Sequence, residues 1–161
     1  MSVIVVELLG DPVPKARART RRDGKFYTPQ KTVDFERSLA WAAKSAFKRQ
    51  YPLTGPLAMR VTATLRIPKS FTRQEREAAI AGILAPYSKP DLDNLVKAAK
   101  DALNGIVYKD DAQVCEEISR KEYGEQPKIR IEIAPLEPEH AVEAFRQIED
   151  KSLEPMIGNA A

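Results

Sequence analysis

Residues 57–67, LAMRVTATLRI, alternate: Leu57, Met59, Val61, Ala63, Leu65 and Ile67 are apolar, with Arg60, Thr62, Thr64 and Arg66 between them. Successive side chains of a β-strand point to opposite faces, so this period of two predicts a strand covered on one side. Ile129, Ile131 and Ile133, alternating with Lys128, Arg130 and Glu132, predict a second strand. An apolar run over residues 3–9 predicts a third; it stops at Gly10-Asp11-Pro12, a turn signal ending in a residue without a backbone donor. A fourth is expected over residues 113–123. Phe35, Leu39, Ala42 and Ala46 recur at helical spacing, with Thr28 as N-cap and Pro29 in the first turn, which predicts a helix over 29–49. Thr72 and Glu75 have capping-box spacing, so a short helix should run through Glu77 and Ala79. Helices and strands alternate irregularly and nothing repeats. The expected class is therefore α+β, one domain, with a small mixed sheet of about four strands and helices packed against it. Ala141, Phe145 and Ile148 predict a terminal helix with a frayed end, so residues 136–161 stand apart from a folded unit over residues 1–135.

Composition excludes several classes. Of 161 residues one is Cys (Cys115) and one is His (His140), so neither an intrachain disulfide nor a Cys/His zinc site can form. No run approaches the roughly 20 apolar residues that cross a bilayer. The first residues read as a strand without a charged leader, which gives the cytoplasm as the expected compartment. Net charge is only +3, but residues 1–60 hold 12 Lys/Arg against 5 Asp/Glu, residues 61–135 hold 12 of each, and residues 136–161 hold 2 against 6. Positive charge gathers in the first third.

The chemistry gathers in residues 89–114, KPDLDNLVKAAKDALNGIVYKDDAQV. Leu95, Ala98, Ala99, Ala102 and Leu103 mark the buried stripe of a helix, and Asn104-Gly105 stops it. Asp91 and Asp93 stand where that helix begins, behind Pro90, and Asp93, Lys97 and Lys100 share one face. Residues 106–108 read as a brief strand leading to Asp110-Asp111, and a reversal there would bring a third carboxylate back to the first two. Acidic residues also favour helix starts and turns for purely local reasons. A carboxylate set with no His or Cys beside it, however, suits a hard cation such as Mg²⁺ or Mn²⁺, which keeps waters and accepts phosphate oxygens. Such an ion lowers the pKa of its water and neutralises phosphoryl charge, the requirements of phosphodiester hydrolysis, and Lys97 or Lys100 would meet the phosphate as a point charge.

In order, Asp91-Leu92-Asp93-Asn94-Leu95, Lys97, Asp101-Ala102-Leu103 and Asp110-Asp111-Ala112-Gln113-Val114 resemble the RusA family of Holliday-junction resolvases, common in bacteria and their prophages. Looser similarity runs from the first strand to Ala134. The resemblance implies that Asp91, Asp93 and Asp111 bind Mg²⁺, with Asp110 as the substitute for Asp111, and that Lys97 assists cleavage. It further implies a homodimer that nicks two opposing strands of a four-way junction in DNA recombination and repair, as a two-fold substrate asks of a two-fold enzyme. Some members carry an arginine run just before the Asp-x-Asp. Here Tyr87-Ser88-Lys89-Pro90 stands there, which shifts DNA contact towards Lys89 and the N-terminal segment.

That segment holds Lys15, Arg17, Arg19, Arg21, Arg22 and Lys25 in an expected exposed loop that would run along phosphates, with Lys100 as a further contact. Phe26 and Tyr27 read as core or loop anchors. Arg37, Trp41, Lys44 and Lys48 share a helix face, where Trp41 reads as packed at a subunit interface or under a loop, or as a base-stacking residue. Three rivals stand beside a resolvase: a nuclease for flaps or forks, a non-catalytic DNA-architecture protein, and an Mg²⁺-dependent transferase. The last lacks a Gly-x-x-x-x-Gly-Lys loop or a dinucleotide fingerprint, so no nucleotide cofactor is expected.

Overall fold

The computed structural model describes residues 3–20, 22–48 and 51–136. The elements are β1 (Ile4–Leu9), a hairpin of β2 (Arg19–Thr20) and β3 (Phe26–Tyr27), α1 (Gln30–Ala46), β4 (Leu57–Arg66), α2 (Arg73–Ile80), α3 (Leu92–Leu103), a 3₁₀ turn (Asp111–Gln113), β5 (Val114–Gly124) and β6 (Lys128–Pro135). The expected α+β class is borne out, with a four-stranded mixed sheet in the order β1-β6-β4-β5. β6 runs antiparallel to β1 and β4, whereas β4 and β5 are parallel. Parallel neighbours need a crossover connection, and the crossover from β4 to β5 is the segment carrying α2 and α3.

One face of the sheet makes the core. Ile131 stands opposite Val6 on one side and Val61 on the other, and Met59 lies opposite Ile133, all fully buried. Phe35, Leu39 and Ala43 of α1 and Val96, Ala98, Ala99, Ala102 and Leu103 of α3 close over them. Each large side chain so buried contributes about 1.5–3 kcal/mol. The alanine run of α3 lets it lie close to α1 and the sheet, which fixes where its polar stripe emerges.

Several expectations are corrected. β4 is buried on both faces, not one, because it is an interior strand whose small outward residues Ala58, Thr62 and Thr64 sit among longer neighbours such as Arg60, Glu122 and Glu132. α1 begins at Gln30 with Pro29 at the N-cap and no side-chain capping bond, so Thr28 does not cap it. Residues 106–108 form turns with isolated bridges from Tyr108 to Leu53 and Asn104, not a strand. The α2 capping box is present: the Thr72 hydroxyl accepts from the Glu75 amide, and the Thr72 amide donates to the Glu75 carboxylate at 2.7 Å. That bond holds the exposed Glu75 carboxyl below its usual range. The expected terminal helix, with His140, lies outside the described residues.

Candidate functional site

α3 carries the acidic motif at one end and lies antiparallel to β5. The Lys121 ammonium donates to the carbonyls of Ser88 (2.8 Å) and Pro90 (3.0 Å), just before the helix, and Lys100 in its last turn pairs with Glu117. Asp91 occupies the N-cap position, yet its side chain makes no capping bond and meets only a long 3.5 Å contact from Asn94 Nδ2. Asp93 stands exposed in the first turn, where the helix dipole favours an anion. The Lys89-Pro90 bond just before is cis. At the other end Asn104 caps α3 and Gly105 turns the chain with φ +73°, a left-handed conformation that a side chain resists.

The second acidic pair is divided between structure and exposure. Asp110 caps the 3₁₀ turn, its Oδ1 accepting from the Ala112 amide at 2.8 Å. Gln113 closes the same turn: its Oε1 accepts from the amides of Lys109 and Asp110, and its Nε2 donates to the carbonyls of Leu53 and Gly55 at 3.1 and 3.0 Å. Two of these four bonds close the turn on itself, and two rivet it to the segment just before β4. Among the described residues the side chains of Asp93, Asp111 and Lys97 have no hydrogen bond or ion pair. They are exposed and unspent.

The three carboxylates do not converge within one chain. No group of three His, Cys, Asp or Glu among the described residues is placed to hold a metal ion, which corrects the expectation that the chain reverses to bring Asp111 beside Asp91 and Asp93. The reason is the antiparallel run of α3 against β5. Asp111 precedes β5, beside the end of α3, where burial and then the charges of Asp111, Asp101 and Glu117 push the Tyr108 phenol up. Tyr108 is anchored there by donating to the Lys100 carbonyl at 3.0 Å. At 1.5 Å per residue, the start of α3 lies roughly 10–15 Å away.

Two of the expected DNA contacts have partners within the fold. Lys15 is not free to meet phosphate: its ammonium sits 2.7 Å from both Glu36 on α1 and Asp101 on α3, and its amide donates to the Asn94 carbonyl at 2.8 Å. Partial burial works against its charge, but the hydrogen bonds to Asp101 and Glu36 outweigh it and hold its pKa above the ordinary lysine value. Lys100 is engaged by Glu117. Arg17, Arg19, Arg22, Lys25 and Lys89 are exposed, and Arg21 lies outside the described residues. The expected basic loop is in part a hairpin, with Arg19 opposite Tyr27 and Thr20 opposite Phe26. Phe26 is 75% exposed and anchors no core. Trp41 is also exposed, with the Lys44 ammonium 5.5 Å from its ring.

Gln113 and Lys121 were missed as positioning residues. Gln113 had a signal, the three-residue spacing from Asp110 that marks a capping box. Lys121 had none, because a strand lysine reaching two carbonyls across the chain leaves no local pattern.

No helix among the described residues is long and apolar enough to cross a membrane. Residues 10–134 match the family described as Endodeoxyribonuclease RusA. A protein of Bacillus subtilis (strain 168), YqaN, whose function is uncharacterised, is 38% identical over 138 residues, which covers 83% of this chain and 96% of that protein.

Proposed function

This chain belongs to the RusA family of endodeoxyribonucleases, and from that premise we infer that it acts as an Mg²⁺-dependent homodimer that resolves four-way DNA junctions by paired nicks. The observation that carries this reading is the contrast between engaged and unengaged charge. Asp110, Lys15 and Lys100 are tied into the scaffold, whereas Asp93, Asp111 and Lys97 are exposed without partners among the described residues.

The donor set fits a hard divalent ion in chemistry, being carboxylates alone. In position it is split, two at the start of α3 and one beside its end, so Asp91 and Asp93 of one copy would share an ion with Asp111 of a second. Mn²⁺ suits the same ligands. An ion so held supplies an activated water and neutralises charge on the phosphoryl group. Lys97, one turn after Asp93, contacts a phosphate oxygen as a point charge, while Lys89 and the β2–β3 hairpin follow the backbone. The unpaired edge of β5 supports a two-fold arrangement: antiparallel pairing with its copy about Ile118 sets Glu116 opposite Arg120 twice.

The test is a labelled synthetic four-way junction with and without Mg²⁺, read on a denaturing gel. Wild type should cut symmetrically only with the ion, and Asp93→Asn should not cut. Mixing Asp93→Asn with Asp111→Asn protein should restore nicking of one strand, because a mixed dimer then contains one intact shared site. Wild type that cuts no branched DNA defeats the enzyme reading. Mixed dimers that remain dead defeat the shared site.

A further inference from the structure

We propose that Phe26 is a wedge: the β2–β3 hairpin holds DNA by its cations and sets the Phe26 ring against a base unstacked at the branch point. This rests on the nuclease reading above and adds to it a residue that selects the substrate.

A single exposed apolar side chain is ordinary on a protein surface. Phe26 differs in its setting. It lies on a hairpin of two residue pairs, too short to be stable from its own bonds, and that hairpin also carries exposed Arg19, Arg22 and Lys25. The ring is 75% exposed, and its cross-strand neighbour is Thr20, which offers it little apolar cover. Directly opposite residues of an antiparallel pair point to the same face, so Phe26 and Thr20 occupy one face of the hairpin while Arg19 and Tyr27 occupy the other. Asp23 braces the turn, accepting from the Lys25 amide at 3.1 Å. An aromatic presented among cations is how proteins hold unpaired bases, with phosphates neutralised and the π-face stacked. Apolar wedges inserted between base steps act in the same way on bent duplex.

The root of the hairpin ties this surface to the candidate site. The Lys15 amide bonds the carbonyl of Asn94, the residue after Asp93, and the Lys15 ammonium is clamped between α1 and α3. From there to Thr20 is five residues, at most roughly 17 Å of extended chain. That span is about five nucleotides at 3.4 Å each, so a ring lodged at the branch would set the cut within a few nucleotides of it.

The test compares the affinities of the full chain for a four-way junction and for an unbranched duplex of equal length, by fluorescence anisotropy without divalent ion, over a salt series. Phe26→Ala should weaken junction binding about 5- to 100-fold, the range of one lost base stack. Its duplex affinity and its salt slope should match wild type, because a phenyl ring displaces no counterions. Phe26→Tyr should rescue junction binding, and Phe26→Leu should fall between. Arg22→Ala should weaken both DNAs alike with a shallower slope, the signature of phosphate contact alone. Unchanged junction affinity in Phe26→Ala, or an equal loss on both DNAs, overturns the wedge. Wild type that prefers the junction but never cuts it defeats the enzyme reading and leaves the wedge standing, so the two failures are separable.

Discussion

The two acidic turns at either end of α3 are held by different means and spend their carboxylates differently. Before α3, the backbone is held from outside by Lys121 on the Ser88 and Pro90 carbonyls, and neither Asp91 nor Asp93 gives its side chain to a capping bond. After α3, the turn holds itself: Asp110 accepts the Ala112 amide, Gln113 closes the box, and only Asp111 is left over. Adjacent aspartates in one dipeptide therefore have opposite fates. A carboxylate that satisfies a backbone amide cannot offer the same lone pairs to a ligand, so partnership, not residue type, separates scaffold from candidate chemistry.

The largest effect expected from this contrast is within that dipeptide. Asp111→Asn should lower junction cleavage about a thousandfold or more, since the several kcal/mol supplied by a bound ion correspond to that factor. Asp110→Asn should cut nearly as well as wild type, because asparagine caps a turn about as well as aspartate. Rates of single-turnover cleavage decide it, and the opposite ranking would move the metal ligand to Asp110.

A middle-sized effect tests the rivets. Gln113→Ala removes two acceptances and two donations at once and should cost about 1–3 kcal/mol, a fall in Tm of several degrees for a domain of this size. Gln113→Glu keeps the acceptances from Lys109 and Asp110 and loses the donations to Leu53 and Gly55, so it should fall between. Thermal melting followed by circular dichroism measures both. An unchanged Tm in Gln113→Ala would mean that the turn is held by something other than this side chain.

The elements were legible where one period dominates. The alternation in β4 and β6, the apolar stripe of α3, and the Thr72–Glu75 box could each be read from residues within a few positions of one another. What failed depended on contacts across the chain. Lys15 reads as one more cation in a basic run, and only packing of α1 against α3 shows that Glu36 and Asp101 converge on it. The three candidate carboxylates look adjacent in order, but a helix of 12 residues laid antiparallel to β5 holds the first pair and the last residue at opposite ends. The length of the helix could be read from the motif, but the strand direction that turns this length into a separation is set by the sheet order.

The smallest effect concerns the clamp that holds α3, and with it the spacing of the two turns. Lys15→Met keeps most of the stem but leaves Glu36 and Asp101 facing each other without the ammonium between them, so it should destabilise by about 1–2 kcal/mol at neutral pH. The Lys15 pKa is raised on folding, so its contribution is fully present below the ordinary lysine value near 10.5 and is lost as pH rises through the still higher folded value. The Tm difference between wild type and Lys15→Met should therefore stay constant from neutral pH into the mildly alkaline range and shrink only above that value. A difference that fails to shrink above that value would show that Lys15→Met acts through packing and not through the ammonium, leaving the ion triad little part in fixing how far apart the two acidic turns stand.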